Sequence, residues 1–131
     1  MKPNPLRVPM AISLGAMAGA CSRYYLTLYI GQESGQTFPW GTFLVNVTGA
    51  FGLGFFVALT AKKIFLAPEL KLMVATGFFG SFTTFSTYQL DAERLMISTG
   101  SWEILGLYWL GSIICGVLGV ELGSYCAQKL S

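Results

Sequence analysis

The sequence predicts an all-α integral membrane protein that forms a single domain, residues 1–131, with four transmembrane helices. Of its 131 residues, 53% are hydrophobic and only 11% are charged, whereas about 25% of the residues in a typical soluble domain are charged. The apolar residues fall into four stretches, each near the ~20 residues that a helix needs to cross a bilayer. So few polar side chains cannot cover a water-soluble protein of this size, and membrane lipid is the expected surrounding.

Short turn-forming segments separate the four spans. A turn-rich segment ending in Pro39 leads into the second span, a loop containing Pro68 leads into the third, and "STGS" separates the third from the fourth. Most tryptophan and tyrosine rings lie near span ends, where amphipathic rings prefer the headgroup zone. Among the three tryptophans, only Trp109 lies deeper than this rule predicts. The predicted spans cover residues 8–30, 40–61, 69–97 and 102–127.

Glycine is dense in the spans and is spaced for close helix packing. Gly15 and Gly19 form one small-xxx-small pair in the first span, and Gly119 and Gly123 form another in the fourth. Lipid provides little hydrophobic driving force between helices, so close backbone approach through small residues holds a bundle together. Tight packing accounts for most of these glycines without any function.

The third span is long and unusually polar in its second half, "GFFGSFTTFSTYQL". Its hydroxyl side chains, which include Ser86 and Thr87, compete with helical backbone bonding, and glycine tolerates unusual dihedral angles. We predict a break near Gly80 to Thr83, close to the middle of this span. On periodicity alone, an unbroken helix whose hydroxyls bond to its own carbonyls fits equally well. A broken helix at membrane depth needs surrounding protein or a water-filled cavity, and its freed carbonyls can bind cations.

Two polar residues stand out in the first two spans. Arg23 lies most of the way along the first span, where it either snorkels to the interface, as the sequence slightly favours, or sets a positive potential for an anion. Asn46 lies inside the second span, with Thr42 one turn earlier on the same face. Its amide is either a hydrogen-bonding link between helices, the more common use, or a donor to a passing ion.

The fourth span offers a second set of neutral donors. Tyr108 and Ser112 share one face of the helix, which forms either a packing seam or a wall of donors. Phe85 and Tyr88 lie one turn apart on the third span, and aromatic rings carry positive edges that can face a small anion. Neutral donors without nearby acids suit an anion that must bind but also leave.

Several classes of function are excluded by composition. The sequence contains no histidine, which removes histidine-based nucleophilic sites, metal ligands and proton shuttles together. It has no phosphate-binding loop, and its three cysteines lack metal-ligand spacing. A net charge of +2 without a basic run is too small to indicate nucleic acid as a partner. We therefore expect neither an enzyme nor a nucleic-acid-binding protein.

Two motifs resemble those of the Fluc/CrcB family of fluoride channels. The segment "GTFLVNVTG", residues 41–49, resembles the signature of that family's second helix, and "GSFTTFST", residues 80–87, resembles its third-helix break. The resemblance covers nearly the whole chain in length, number of spans and motif order. It implies an antiparallel dimer with two fluoride pathways and passive export of this toxic anion across the cytoplasmic membrane.

The resemblance also assigns roles to residues of this sequence. It implies that Asn46 and Thr42 line the pore and that Phe85 and Tyr88 occupy the two positions of the family's phenylalanine box. One of these two positions departs from the family, because Tyr88 replaces the second phenylalanine. The implied fluoride pathway consists of Thr42, Asn46, Phe85, Ser86, Thr87, Tyr88, Tyr108 and Ser112.

Further implied roles concern ions and charge. The backbone carbonyls of Gly80 and Thr83 are expected to bind a structural sodium ion at the dimer centre. Arg23 matches the arginine of the family's first helix. Asp91 stands where the family usually has glutamate, so this electrostatic position carries a side chain that is one methylene shorter.

The distribution of positive charge bears on topology and on the dimer. One predicted side of the membrane carries Lys2, Arg7, Lys62, Lys63, Lys71 and Lys129, and the other side mainly carries Arg94. The positive-inside rule then places both termini in the cytoplasm. A chain that inserts in both orientations needs little bias, so the partner is either a second copy with dual topology or a sister chain of opposite orientation.

Two other functions are weighed against the fluoride channel. A small four-helix multidrug-resistance-type antiporter, which exchanges cations for protons, needs a buried carboxylate in its first span; the span 8–30 has no acid and carries Arg23. The other is a membrane subunit that transports nothing and whose helices pack through their glycines. Such a subunit does not need the row of hydroxyls beside Asn46.

Overall fold

The structure, a computed structural model, describes residues 6–33, 38–61 and 66–130. Within these ranges the chain forms helices and no strand, which confirms the all-α prediction. Lys2, Lys62 and Lys63 lie outside the described residues. The helices are α1 (Arg7–Glu33), α2 (Trp40–Ala61), α3 (68–82), α4 (Phe85–Thr99) and α5 (Trp102–Leu130).

Two of these helices are long and apolar enough to cross a bilayer by length and composition, namely α2 and α5. The ends of α1, α2 and α5 agree with the predicted spans within about three residues. Helices α3 and α4 together occupy the predicted third span, but neither is long enough alone. Crossing of the membrane by all four predicted spans stays a prediction.

Helices α2 and α5 form the most extensive contact in the molecule, and they run in the same direction. Gly119 lies against Val47 and Phe51, and one turn later Gly123 lies against Phe51 and Phe55. A β-carbon on Gly123 would lie 2.9 Å from the backbone nitrogen of Phe55 and closer still to the carbonyl of Phe51. These contacts confirm the packing role predicted for the Gly119–Gly123 pair.

Helices α1 and α3 form a second parallel pair through three glycines. The α-carbon of Gly15 faces the carbonyl of Met73, and Gly19 faces the carbonyl of Phe78. A β-carbon on Gly77 would lie 2.5 Å from the carbonyl of Ile12 on α1. A β-carbon at any of these three glycines would collide with backbone of the facing helix, which cannot move aside as a side chain can. The close approach of α1 and α3 therefore requires glycine at these positions.

Helix α3 is not a regular α-helix. Its first turn, Pro68–Leu72, is α-helical, but Met73–Phe79 is wound as a π-helix before the last short turn, Gly80–Phe82. π-Helical segments are rare and usually short. The sequence analysis did not predict this winding, which lies where the glycines of α1 pack against α3.

Helical structure is interrupted between α3 and α4. The backbone is extended at Thr83, with φ −76° and ψ 156°, and at Thr84, with φ −149° and ψ 124°. The side chain of Thr84 accepts a hydrogen bond from the backbone N–H of Thr87, so Thr84 caps the start of α4. Gly100, with φ +62°, ends α4 in the left-handed conformation that favours glycine.

Candidate functional site

The interruption opens onto a cavity of about 320 Å³ between α2, α4 and α5. We call it the polar cavity, because an amide and several hydroxyls meet there. It unites residues that are up to 67 positions apart in the sequence. Its lining consists of Asn46, Thr83, Thr84, Phe85, Tyr88, Ser112 and Ile113.

Asn46 holds the extended backbone in place through both ends of its amide. Its Oδ1 accepts a hydrogen bond from the N–H of Thr84 at 2.8 Å, and its Nδ2 donates to the carbonyl of Thr84 at 3.0 Å. In a continuous helix, the Thr84 N–H would bond to the carbonyl of Gly80 instead. The amide carries a second N–H, which leaves one donor for a ligand in the polar cavity.

One turn before Asn46, Thr42 makes a second link between helices. Thr42 is 3% exposed, and its hydroxyl donates to Oδ2 of Asp91 on α4. The bond joins residues 49 positions apart and satisfies one carboxylate oxygen inside the bundle. Thr42 and Asn46 thus share one face of α2, as predicted; Asn46 bonds to the interruption itself, and Thr42 bonds to α4.

Helix α5 contributes two buried hydroxyls that have no hydrogen-bond partner among the described residues, those of Tyr108 and Ser112. Tyr108 is completely buried, and Ser112 lines the polar cavity. A buried hydroxyl without a partner costs free energy relative to one in water. Two such groups on one face of a helix, one turn apart, are available donors for a ligand.

Aromatic rings line one side of this region. The ring centroid of Tyr88 lies 5.9 Å from that of Phe85 and 5.0 Å from that of Tyr108. Phe38 meets Tyr108 edge to face, with centroids 5.4 Å apart and planes at 89°. The four rings form a column that runs from the polar cavity to the beginning of α2.

The remaining predicted residues lie outside the lining of the polar cavity. The hydroxyls of Ser86 and Thr87 both contact the Thr84 hydroxyl, at 3.3 and 3.1 Å, so they support the cap of α4. Arg23 is half-buried on α1. Gly80 is exposed, with no atom within 4 Å of the place where a β-carbon would be.

A second cavity, of about 560 Å³, adjoins the first along α4 and α5. We call it the outer cavity. The sequence analysis assigned no role to two residues of its lining, Gln89 and Trp109. A feature of the sequence could have pointed to each of them. Gln89 lies one turn after Phe85 on the same helix face, and Trp109 lies deeper in its span than an interfacial ring should. The two cavities share Phe85, Tyr88 and Ile113.

Comparison of the sequence with known proteins identifies the family of this chain. The model of the family described as CrcB-like protein, Camphor Resistance (CrcB), matches residues 10–124. The chain belongs to the CrcB family. The match includes every residue that lines the polar cavity.

Cyanobacterial relatives of this CrcB chain carry the name fluoride-specific ion channel FluC. The protein of Trichormus variabilis is 48% identical over 119 residues, which are 90% of this chain and 86% of the relative. That of Synechocystis sp. is 43% identical over 134 residues, or 98% of each chain. That of Synechococcus sp. is 42% identical over 127 residues, or 94% of each chain.

Membership of the CrcB family together with the apolar helices makes the chain a membrane protein. Helix α5 fits a bilayer, because its outer surface is almost entirely apolar. The side chains of this surface are between 56% and 67% exposed, as expected for side chains that face lipid or another subunit. They include Leu107, Leu110, Ile113, Ile114, Val117, Leu118 and Leu122.

Ser112→Ala in this CrcB chain is expected to lower ion flux about tenfold while changing the free energy of unfolding by less than about 0.5 kcal/mol. The variant removes a donor that has no partner in the protein, whereas a hydrogen bond to a charged ligand is worth about 1.5–3 kcal/mol. Anion efflux from liposomes and denaturant unfolding measure the two quantities.

Ser124→Ala provides the matched control on the same helix. Its hydroxyl donates to the carbonyl of Gly54 at 3.2 Å, so we expect a loss of about 0.5–1.5 kcal/mol in stability and no change in flux. Equal flux in the Ser112 variant and the native chain would contradict a donor role for Ser112.

Proposed function

We propose that this chain is a subunit of a fluoride-specific ion channel, which lets fluoride leave the cell passively across the cytoplasmic membrane and so relieves its toxicity. The observation that carries the proposal is the pair of buried, unpartnered hydroxyls of Tyr108 and Ser112 on α5, of which that of Ser112 shares the polar cavity with the Asn46 amide. The names of the FluC relatives support the same function. The protein conducts an ion and is not an enzyme.

Fluoride is small and holds its water tightly, so a pathway must replace that water with several donors at once. The second N–H of Asn46 and the hydroxyl of Ser112 face one cavity, and the hydroxyl of Tyr108 follows one turn away on α5. The edges of Phe85 and Tyr88 add weak positive charge without a formal cation. Neutral donors bind the anion without trapping it, which is what conduction requires.

Fixed charges shape the potential along this pathway. Arg23 on α1 supplies positive charge to the bundle, which favours entry of an anion. The carboxylate of Asp91 repels an anion, but the Thr42 hydroxyl bonds to it and so holds one oxygen at a fixed place. The bond fixes the position of this negative charge without neutralising it.

The functional unit is an antiparallel dimer with two pathways. One feature of the single subunit favours a partner: Phe85 is 72% exposed although it lines the polar cavity. The partner is a second copy with dual topology or a sister chain. Arg7, Lys71 and Lys129 belong to the side rich in positive charge, which favours cytoplasmic termini and one orientation for this chain.

A structural sodium ion at the dimer centre fits the same interruption. The extended backbone at Thr83 and Thr84 frees carbonyl groups of the preceding turn, and unwound carbonyls are suitable sodium ligands. Gly80 is exposed on the surface of the subunit, so its carbonyl and that of Thr83 are accessible to an ion shared with a partner. The described residues hold no cluster of acids, cysteines or histidines suited to a transition metal.

Fluoride efflux from liposomes that contain this chain alone tests the function. We expect fluoride efflux far faster than the chloride leak, and we expect Phe85→Ile to abolish the fluoride efflux because the ring edge is lost. Ile97→Leu is a matched control, since Ile97 is 78% exposed and lies at the far end of α4. Equal fluxes of fluoride and chloride would defeat the proposal.

The same assay shows whether the partner subunit is a second copy of this chain or a sister chain. Efflux from the chain alone indicates a homodimer, and efflux only after addition of a sister chain indicates a heterodimer. Replacement of sodium by an organic cation in the assay should lower the flux if the sodium ion is structural.

The alternative functions are not favoured. An antiporter of the multidrug-resistance type needs a buried carboxylate in its first span, and residues 8–30 contain none. A non-transporting membrane subunit gives no reason for buried donors that lack partners. Membership of the CrcB family points away from both.

A further inference from the structure

We infer that Tyr88 is a positioning residue, whose hydroxyl anchors α4 to α5 and fixes the width of the passage between the polar cavity and the outer cavity. The anchored ring makes this passage selective for small anions. The inference rests on the proposed function, because it concerns which anions pass. It goes beyond that function because it gives the tyrosine, which replaces a phenylalanine of the family pattern, a role of its own.

The anchor is a hydrogen bond between two helices. The hydroxyl of Tyr88 donates to the backbone carbonyl of Trp109 at 3.2 Å, across 21 positions of sequence. The hydroxyl lies on the long axis of the ring, so the bond fixes the direction of the side chain while the ring can still flip about that axis. A phenylalanine at this position has no such restraint.

The ring stands where the two cavities meet. Both cavities are lined by Phe85, Tyr88 and Ile113. Phe85 is 72% exposed and Ile113 is 59% exposed, but Tyr88 is only 8% exposed. Tyr88 is therefore the enclosed member of the shared wall, and an ion that moves between the cavities passes its ring.

The direction of the hydroxyl proton decides what Tyr88 offers to an anion. The hydroxyl proton points to the Trp109 carbonyl, which accepts the hydrogen bond, so the hydroxyl oxygen presents only lone pairs to an anion, and these repel it. The ring edge, which is weakly positive, remains as the attractive part of the side chain. Without the anchor, the ring has room to swing toward the outer cavity, whose volume is about 560 Å³, and the passage widens.

The test compares Tyr88→Phe with the native chain in liposomes, using fluoride and chloride efflux. We expect the fluoride-to-chloride ratio to fall about threefold to tenfold, as for loss of one net hydrogen bond. Tyr25→Phe is the control, since Tyr25 is 68% exposed on α1, and its ratio should equal the native ratio. A general loss of stability would lower both fluxes and leave the ratio unchanged.

A second variant distinguishes loss of the hydrogen bond from misfolding of Tyr88→Phe. p-Aminophenylalanine at position 88 restores a donor at the same end of the ring, so we expect a native ratio. An unchanged ratio in Tyr88→Phe overturns the inference, and so does a low ratio with the amino variant. Loss of fluoride efflux in folded Tyr88→Phe also overturns it, because the hydroxyl would then be the donor to fluoride. If the native chain passes no fluoride either alone or with a sister chain, the proposed function itself fails, and this result does not depend on Tyr88.

Discussion

Asn46→Leu is expected to abolish fluoride efflux and to lower the free energy of unfolding by about 2–6 kcal/mol, from two buried backbone groups left unpaired at about 1–3 kcal/mol each. Asn46 pairs with both the N–H and the carbonyl of Thr84, at 2.8 and 3.0 Å. Leucine fills a similar volume but offers no polar group. The extended segment then loses its restraint, and the polar cavity loses an amide donor together with its shape.

Denaturant unfolding in detergent and fluoride efflux from liposomes measure the two effects separately. Thr48→Val is the matched control on the same helix: the Thr48 hydroxyl bonds to the carbonyl of Leu44 in its own turn, at 2.6 Å, and faces outward. We expect native stability and flux in this control. If Asn46→Leu unfolds like the native protein, the amide does not hold the interruption. If the variant conducts at the native rate, the pathway does not depend on Asn46.

Gly123→Ala is expected to lower the free energy of unfolding by about 1–3 kcal/mol, the usual cost of extra volume in a packed interior. The new methyl group would meet the carbonyl of Phe51 and the backbone nitrogen of Phe55. Backbone atoms within a helix cannot move aside as a side-chain end can, so α2 and α5 must separate. The separation also displaces α2 relative to the donors of α5, and fluoride efflux should fall with stability.

Gly111→Ala on the same helix has the opposite expected sign. No atom lies within 4 Å of the place of its β-carbon, and alanine favours a helix over glycine by about 0.5–1 kcal/mol. Unfolding of the two variants under one set of conditions gives the comparison. Equal effects of the two substitutions would show that close packing at Gly123 does not hold α2 against α5.

Local pattern was sufficient to predict α1, α2 and α5 and the helix faces that several candidate site residues share. The lengths of the apolar runs gave the limits of α1, α2 and α5, because a helix satisfies its own backbone in an apolar environment. Spacing by one turn placed Thr42 with Asn46, and Tyr108 with Ser112, on common helix faces. These predictions needed only the period of a helix.

The π-helical winding of Met73–Phe79 was not predictable in the same way. Its residues are ordinary for an apolar helix. Nothing in their order indicates whether each backbone N–H bonds to the carbonyl five residues earlier, as in a π-helix, or four residues earlier, as in an α-helix. The winding occurs where α3 meets Gly15 and Gly19 of α1. The contact that accompanies it lies more than 50 positions away in the sequence.

By itself, the sequence determined the apolar helices, their polar faces and the glycines that permit close packing, because each depends on residues within a few turns of one another. Only the tertiary structure decided which partners the polar groups have. Asn46 on α2 bonds to Thr84 in the interruption, Thr42 on α2 bonds to Asp91 on α4, and Tyr88 on α4 bonds to Trp109 on α5. A buried polar group takes whichever partner the packing brings within about 3 Å, and that choice depends on helix register and orientation rather than on local order. Tyr108 and Ser112 remain without a partner in the described chain for the same reason, and they are the donors that a permeating anion can use.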